Sequence, residues 1–132
     1  MSVAYPNLPV TFVGFVPGIT TPGGVTHQSI NDVGIMRTVP NMAIFDVGDA
    51  TDIEGVLDLV YEWNGPAYIR MLRKEVPRLF PANEPMVFNR ARTITEGDDV
   101  LILSSSICTE EAMRATAALE DKGVSVQHMH VS

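Results

Sequence analysis

The apolar run Val10-Thr11-Phe12-Val13-Gly14-Phe15-Val16 is bounded by Pro9 on one side and Pro17-Gly18 on the other, the signature of a buried strand closed off by turn residues. A loop rich in glycine and proline, residues 17–24, follows it, and Thr26-His27-Gln28-Ser29-Ile30-Asn31-Asp32 then opens a short helix. Strand, loop and helix in that order constrain the fold strongly. Loops at the carboxyl ends of strands in an α/β sheet are where ligands bind, and the free amides of a following helix start attract anions. His27 would then face a ligand, although a lone histidine after a glycine pair more often caps the helix or fills a polar pocket.

Further along, the helix should end near Val39-Pro40-Asn41, because a residue before proline is pushed out of the α region. A second strand is expected over Met42-Ala43-Ile44-Phe45, and Asp46-Val47-Gly48-Asp49-Ala50-Thr51-Asp52 should open a second helix with Asp49 or Thr51 as its cap. Ile53, Val56, Leu57, Val60 and Trp63 keep helical spacing as its apolar face, and Asn64-Gly65-Pro66 stops it. The carboxylates there suit capping better than metal binding. Ala67-Tyr68-Ile69-Arg70-Met71-Leu72 is the third strand and delivers Arg73 to the edge that carries the His27 loop. A guanidinium there can grip a phosphate with two parallel hydrogen bonds; the alternative is a solvated charge beside Lys74 and Glu75.

Residues 81–86 lack periodicity and carry two prolines, so they read as a linker between a first unit, residues 1–80, and a second, residues 87–132. In the second unit Val87-Phe88 and Ala91-Arg92-Thr93-Ile94 should form an extended pair. Strand Val100-Leu101-Ile102-Leu103-Ser104, a helix from about Ser106 to Lys122 stopped by Gly123, and strand 124–131 make a right-handed βαβ unit with a parallel pair. Cys108 at that helix start reads as an inert packing residue. His128 and His130 share a strand face, but no third ligand stands at a metal-site spacing. The fold class is α/β, two partial three-layer units with mainly parallel sheets, and both ends read as cut.

A net charge of −7 with nine scattered basic residues excludes a nucleic-acid backbone and an anionic membrane surface as partners. A single cysteine among 132 residues fits a reducing cytoplasm. No apolar run reaches the roughly 18 residues that span a bilayer.

Gly24-Val25-Thr26-His27-Gln28-Ser29-Ile30-Asn31-Asp32 followed by Ile35-Met36-Arg37-Thr38-Val39-Pro40-Asn41-Met42 resembles the transketolase pattern G-x-T-H-Q-x-I-x-D, helix, M-R-x-x-P-N-M. Arg73-Lys74-Glu75-Val76-Pro77 resembles that family's R-x-x-[LV]-P, whose arginine binds the sugar phosphate. The resemblance implies that residues 1–80 are the second half of a pyrimidine-binding domain and residues 87–132 the opening of a carboxyl-terminal domain. It further implies a two-carbon ketol transfer between phosphosugars, with thiamine diphosphate and a divalent metal such as Mg as cofactors. His27 would be the catalytic residue near the donor carbons and would also contact substrate, with Arg73 as the phosphate ligand.

The family's A-E-Q glutamate and its G-D-G metal motif do not occur here, so this chain alone should bind no cofactor and be inactive. The remainder of a transketolase chain or a partner subunit would supply them, and the whole would be a homo-oligomer. The family loop G-T-H-A-G-x-x-x-G-E-D-G appears as residues 14–24, about one residue shorter. Val16 stands where a phosphate-contacting histidine is expected, and the acidic residue that reads a sugar hydroxyl is replaced by a glycine or deleted. Polar contacts carry most discrimination between such substrates, so a donor outside the usual pentose phosphate pair is expected. A 1-deoxyxylulose-5-phosphate synthase, a pyruvate dehydrogenase beta subunit or a non-catalytic interaction module are the competing readings.

Overall fold

The computed structural model describes residues 2–73 and 75–132; Lys74, within the arginine motif, lies outside the described residues. The first sheet has the order β1-β3-β2 and is parallel throughout, with β1 at Thr11–Phe15, β2 at Ala43–Asp46 and β3 at Ala67–Met71. Helix α1, Asp32–Arg37, joins β1 to β2, and α2, Ala50–Glu62, joins β2 to β3. The second sheet has the order β4-β6-β5: β5 at Val100–Ser104 is parallel to β6 at Val126–His130, and β4 at Arg92–Thr95 is antiparallel to it. Helix α3, Cys108–Glu120, connects the parallel pair. This is the expected α/β class with mainly parallel sheets. Among the described residues no helix is long and apolar enough to cross a membrane.

Alternation along β3 divides its work between two faces. Ala67 and Ile69 join Ala43, Phe45, Val47 and Val56 in the apolar core under α2, while Tyr68 and Arg70 project to the opposite face. Asp49 caps α2, as expected of it, with one carboxylate oxygen on the Asp52 amide at 2.9 Å. Its other oxygen accepts from the Leu79 and Phe80 amides at 2.7 and 3.1 Å, which pins the chain leaving the first sheet.

Three expectations are corrected. Leu57 is 55% exposed, because the buried stripe of α2 runs through Asp52, Gly55 and Val56 instead. Val87-Phe88 forms no strand: Asn89 has a φ of 58° that reverses the chain, β4 takes its partner from β6, and the Phe88 ring lies 4.9 Å from that of Trp63. Cys108 is exposed rather than packed inside.

Gly14 in β1 is required by its neighbour. A Cβ there would lie 2.3 Å from the Tyr68 hydroxyl and 2.9 Å from its ring, so the absent side chain is the space through which Tyr68 crosses β1. Gly14→Ala should therefore cost about 1–3 kcal/mol of stability, the usual effect of overpacking, read as a lowered urea midpoint.

Candidate active site

The site is built on the carboxyl edge of the β1-β3-β2 sheet. β1 and β3 are parallel neighbours in register, Gly14 beside Arg70, so the loops leaving them emerge at the same edge. The loop after β1 is tied to β3 at once by the Val16 amide, which donates to the Met71 carbonyl at 3.1 Å. Val16 has a φ of 56°, a conformation that is rare for a β-branched residue and tends to be found where a fold holds strain for a purpose.

Within the loop, short 3₁₀ turns at Gly18–Thr20 and Val25–His27 fold it back on itself. The Gly18 amide donates to the Ser29 carbonyl at 2.8 Å, joining the two limbs. The Thr21 hydroxyl donates to the Val16 carbonyl, and the Gln28 side-chain amide to the Thr21 carbonyl at 3.2 Å. His27 ends the second 3₁₀ turn rather than standing at the start of α1, which begins five residues later at Asp32. Its side chain is exposed, with Nδ1 at 3.0 Å from the Thr26 hydroxyl. The ring lies against Gly23, where a Cβ would come within 3.5 Å of it. Arg73 is also exposed, two residues beyond β3.

Beneath the loops lies a polar cluster that reading the sequence missed. One oxygen of Asp32 accepts from the Tyr68 hydroxyl at 2.8 Å and from Arg70 Nε at 2.9 Å. Arg70 Nη1 also donates to Asp46 at 3.2 Å, and Asp46 in turn accepts at 3.1 Å from the hydroxyl of Ser105, the residue that follows β5. Burial alone would push the Asp32 carboxyl up, but the hydrogen bonds from Tyr68 and Arg70 outweigh it and hold it below its ordinary value. Burial and the bond to Asp32 push the Tyr68 phenol up to about 12. The proton thus stays on Tyr68 and the carboxylate stays ionised. The available signal was the pair Tyr68 and Arg70, two apart on one face of a strand otherwise made of core residues.

The two histidines of β6 are buried and engaged in other contacts. His128 bonds the Ser104 and Thr116 hydroxyls at 2.8 and 3.1 Å. His130 bonds Thr109 at 2.7 Å through Nδ1 and Asp52 at 2.7 Å through Nε2. Among the described residues no three His, Cys, Asp or Glu side chains converge as a metal site.

The profile of the family described as "Transketolase, pyrimidine binding domain" matches residues 1–78. The 6-deoxy-6-sulfo-D-fructose transketolase subunit SqwH of Clostridium sp. (strain MSTE9) is 36% identical over 99% of this chain and 41% of its own length. A 1-deoxy-D-xylulose-5-phosphate synthase of Prochlorococcus marinus (strain MIT 9303) is 34% identical over 92% of this chain and 19% of its own length. Among solved structures, a split gene transketolase described as an inactive beta4 tetramer superposes with a TM-score of 0.89 at 32% identity, over 98% of this chain and 41% of that one. The chain thus spans about two fifths, or less, of the proteins it matches. It belongs to the transketolase family, and residues 1–78 carry that family's pyrimidine-binding domain sequence.

Proposed function

We propose that this chain is part of a transketolase-type enzyme that transfers a two-carbon ketol unit between anionic sugars with thiamine diphosphate. His27 exchanges protons with the bound sugar, and Arg73 grips its anionic end. The observation that carries the reading is that β1 and β3 are parallel neighbours, so the loops bearing His27 and Arg73, both exposed, leave the sheet at the same edge. Imidazole is the side chain suited to proton exchange near neutral pH, and the planar guanidinium fork matches a phosphate or a sulfonate. Residues 1–80 form the catalytic unit, residues 81–86 the linker and residues 87–132 a carboxyl-terminal unit, in an oligomer in the cytoplasm. The A-E-Q and G-D-G motifs do not occur in this sequence, and another segment or a partner subunit supplies them.

The loop favours a non-classical donor. Val16 and Gly23 offer no side-chain hydrogen bonds to a sugar, and the relative named for a sulfonated fructose shares 36% identity with this chain. The 1-deoxy-D-xylulose-5-phosphate synthase relative favours a second reading, in which the complete enzyme makes 1-deoxyxylulose 5-phosphate.

The test is reconstitution. The chain, mixed with a complementary segment carrying the A-E-Q and G-D-G motifs, should bind thiamine diphosphate and consume a phosphorylated or sulfonated ketose, whereas alone it should do neither. Formation of 1-deoxyxylulose 5-phosphate in place of ketol transfer would favour the second reading. Turnover by the isolated chain, or none in any reconstituted mixture, would refute both.

A further inference from the structure

The His27 loop is held to the body of the protein in a specific way. Helix α1 has only six residues, none of them buried, and a helix so short has little stability of its own. Its apolar packing is partial, with Val33 and Met36 only half-buried. What fixes its start is the Asp32 side chain, gripped by Tyr68 and Arg70 from β3. The other end of the loop is fixed where Val16 meets Met71, and the limbs are joined between Gly18 and Ser29. His27 lies between these anchors, and its one side-chain hydrogen bond among the described residues is to its own neighbour, Thr26.

We propose that Asp32 is a positioning residue for His27: clamped by Tyr68 and Arg70, it sets where the imidazole stands on the rim of the sheet. The catalytic meaning of this rests on the function proposed above, but the clamp itself does not. Three features support it. Gly14 keeps open the space through which Tyr68 reaches Asp32. Both donors converge on one carboxylate oxygen, while the other oxygen is buried without a hydrogen-bond partner among the described residues, so the side chain's hold on β3 runs through these two donors. Arg70 is itself braced by Asp46 and, through it, by Ser105 just after β5, so the loop is referenced to both sheets. Hydrogen bonds to an ionised carboxylate are about twice as strong as neutral ones, which suits an anchor for a short helix without a fully buried residue.

The chain contains three histidines, and this supplies an internal control. In ¹H–¹³C spectra of the full 132-residue chain, Tyr68→Phe, which keeps the ring and removes one donor, should shift or broaden the His27 imidazole line. The lines of His128 and His130, buried beneath β6 contacts, should stay in place. Asp32→Asn should do the same, and should speed exchange of the Gly18 amide about tenfold or more, the equivalent of one lost charge-assisted hydrogen bond. If all three histidine lines move together, the effect is general loosening and the proposal is overturned. An unmoved His27 line in both variants overturns it equally.

In the reconstituted enzyme, Asp32→Asn should lower kcat about 10- to 100-fold, the scale of a small misplacement of a catalytic group, and should add nothing in a His27→Ala background. An additive loss would mean that Asp32 acts by another route. If His27→Ala alone left turnover intact, the function would be refuted, and the spectra would still decide on the clamp.

Discussion

Replacing His27 with alanine is expected to reduce kcat of the reconstituted enzyme by about 10²- to 10⁴-fold, the range contributed by a positioned acid–base group. Stability should hardly change. The side chain is exposed on a loop, its one side-chain hydrogen bond joins Nδ1 to the adjacent Thr26, and substitutions at such positions usually move stability by less than about 0.5 kcal/mol. With Nδ1 occupied by Thr26, Nε2 is the nitrogen left to meet a sugar. Steady-state kinetics beside a urea unfolding curve separate the two effects. A parallel loss of stability and turnover would make His27 a structural residue, and an unchanged kcat would remove it from the chemistry altogether.

The strands, α2, α3 and the parallel βαβ unit were legible because their signals are local. Apolar runs stop at Pro17, at Gly65-Pro66 and at Gly123, and the elements end within a few residues of those stops. Gly123 does so with a φ of 79°, a backbone that favours glycine. The loops that carry His27 and Arg73 were assignable for a different reason: a parallel sheet sends every strand's carboxyl end the same way, so chain order puts both loops at one rim, while the roles of the two side chains are proposals. The Asp32 clamp was not legible, because it joins residues 36 and 38 positions apart and periodicity says nothing about which carboxylate an arginine will meet. His128 and His130 were considered only as metal ligands, because spacing along a strand cannot show that Ser104, Thr116, Thr109 and Asp52 already occupy their nitrogens. Leu57 was misplaced by a similar limit. Spacing defines a stripe, but burial of Asp52 and Thr51 at the helix start rotated it toward residues that a hydrophobic pattern ignores.

Asp52→Ala is expected to cost about 3–5 kcal/mol, the usual penalty for removing one partner of a buried ion pair, out of a total stability of about 5–15 kcal/mol for a domain. Asp52 is fully buried and joins the two sheets. One oxygen accepts from Arg92 at 2.8 Å; the other accepts from the Gly48 amide at 2.9 Å, His130 Nε2 at 2.7 Å and the Ser132 hydroxyl at 3.3 Å. Its loss leaves those donors facing one another without an acceptor, and the urea midpoint should fall with little change in slope. The pH dependence gives a second reading of the same site. Burial is the largest single influence on Asp52 and pushes it up, yet the bonds from His130, Gly48 and Arg92 together hold it below its ordinary value. The unfolded chain therefore takes up this proton first, near pH 4, so the stabilisation is complete above that pH and is lost as pH falls toward the lower folded value. The gap between wild type and Asp52→Ala should be constant above about pH 5 and close below about pH 4. His128 works at a higher pH. Burial and the neighbouring His130 charge depress it, so the unfolded chain binds that proton first and stability begins to fall below about pH 6.5. That earlier decline should persist in Asp52→Ala, because Ser104 and Thr116, and not Asp52, hold the His128 ring.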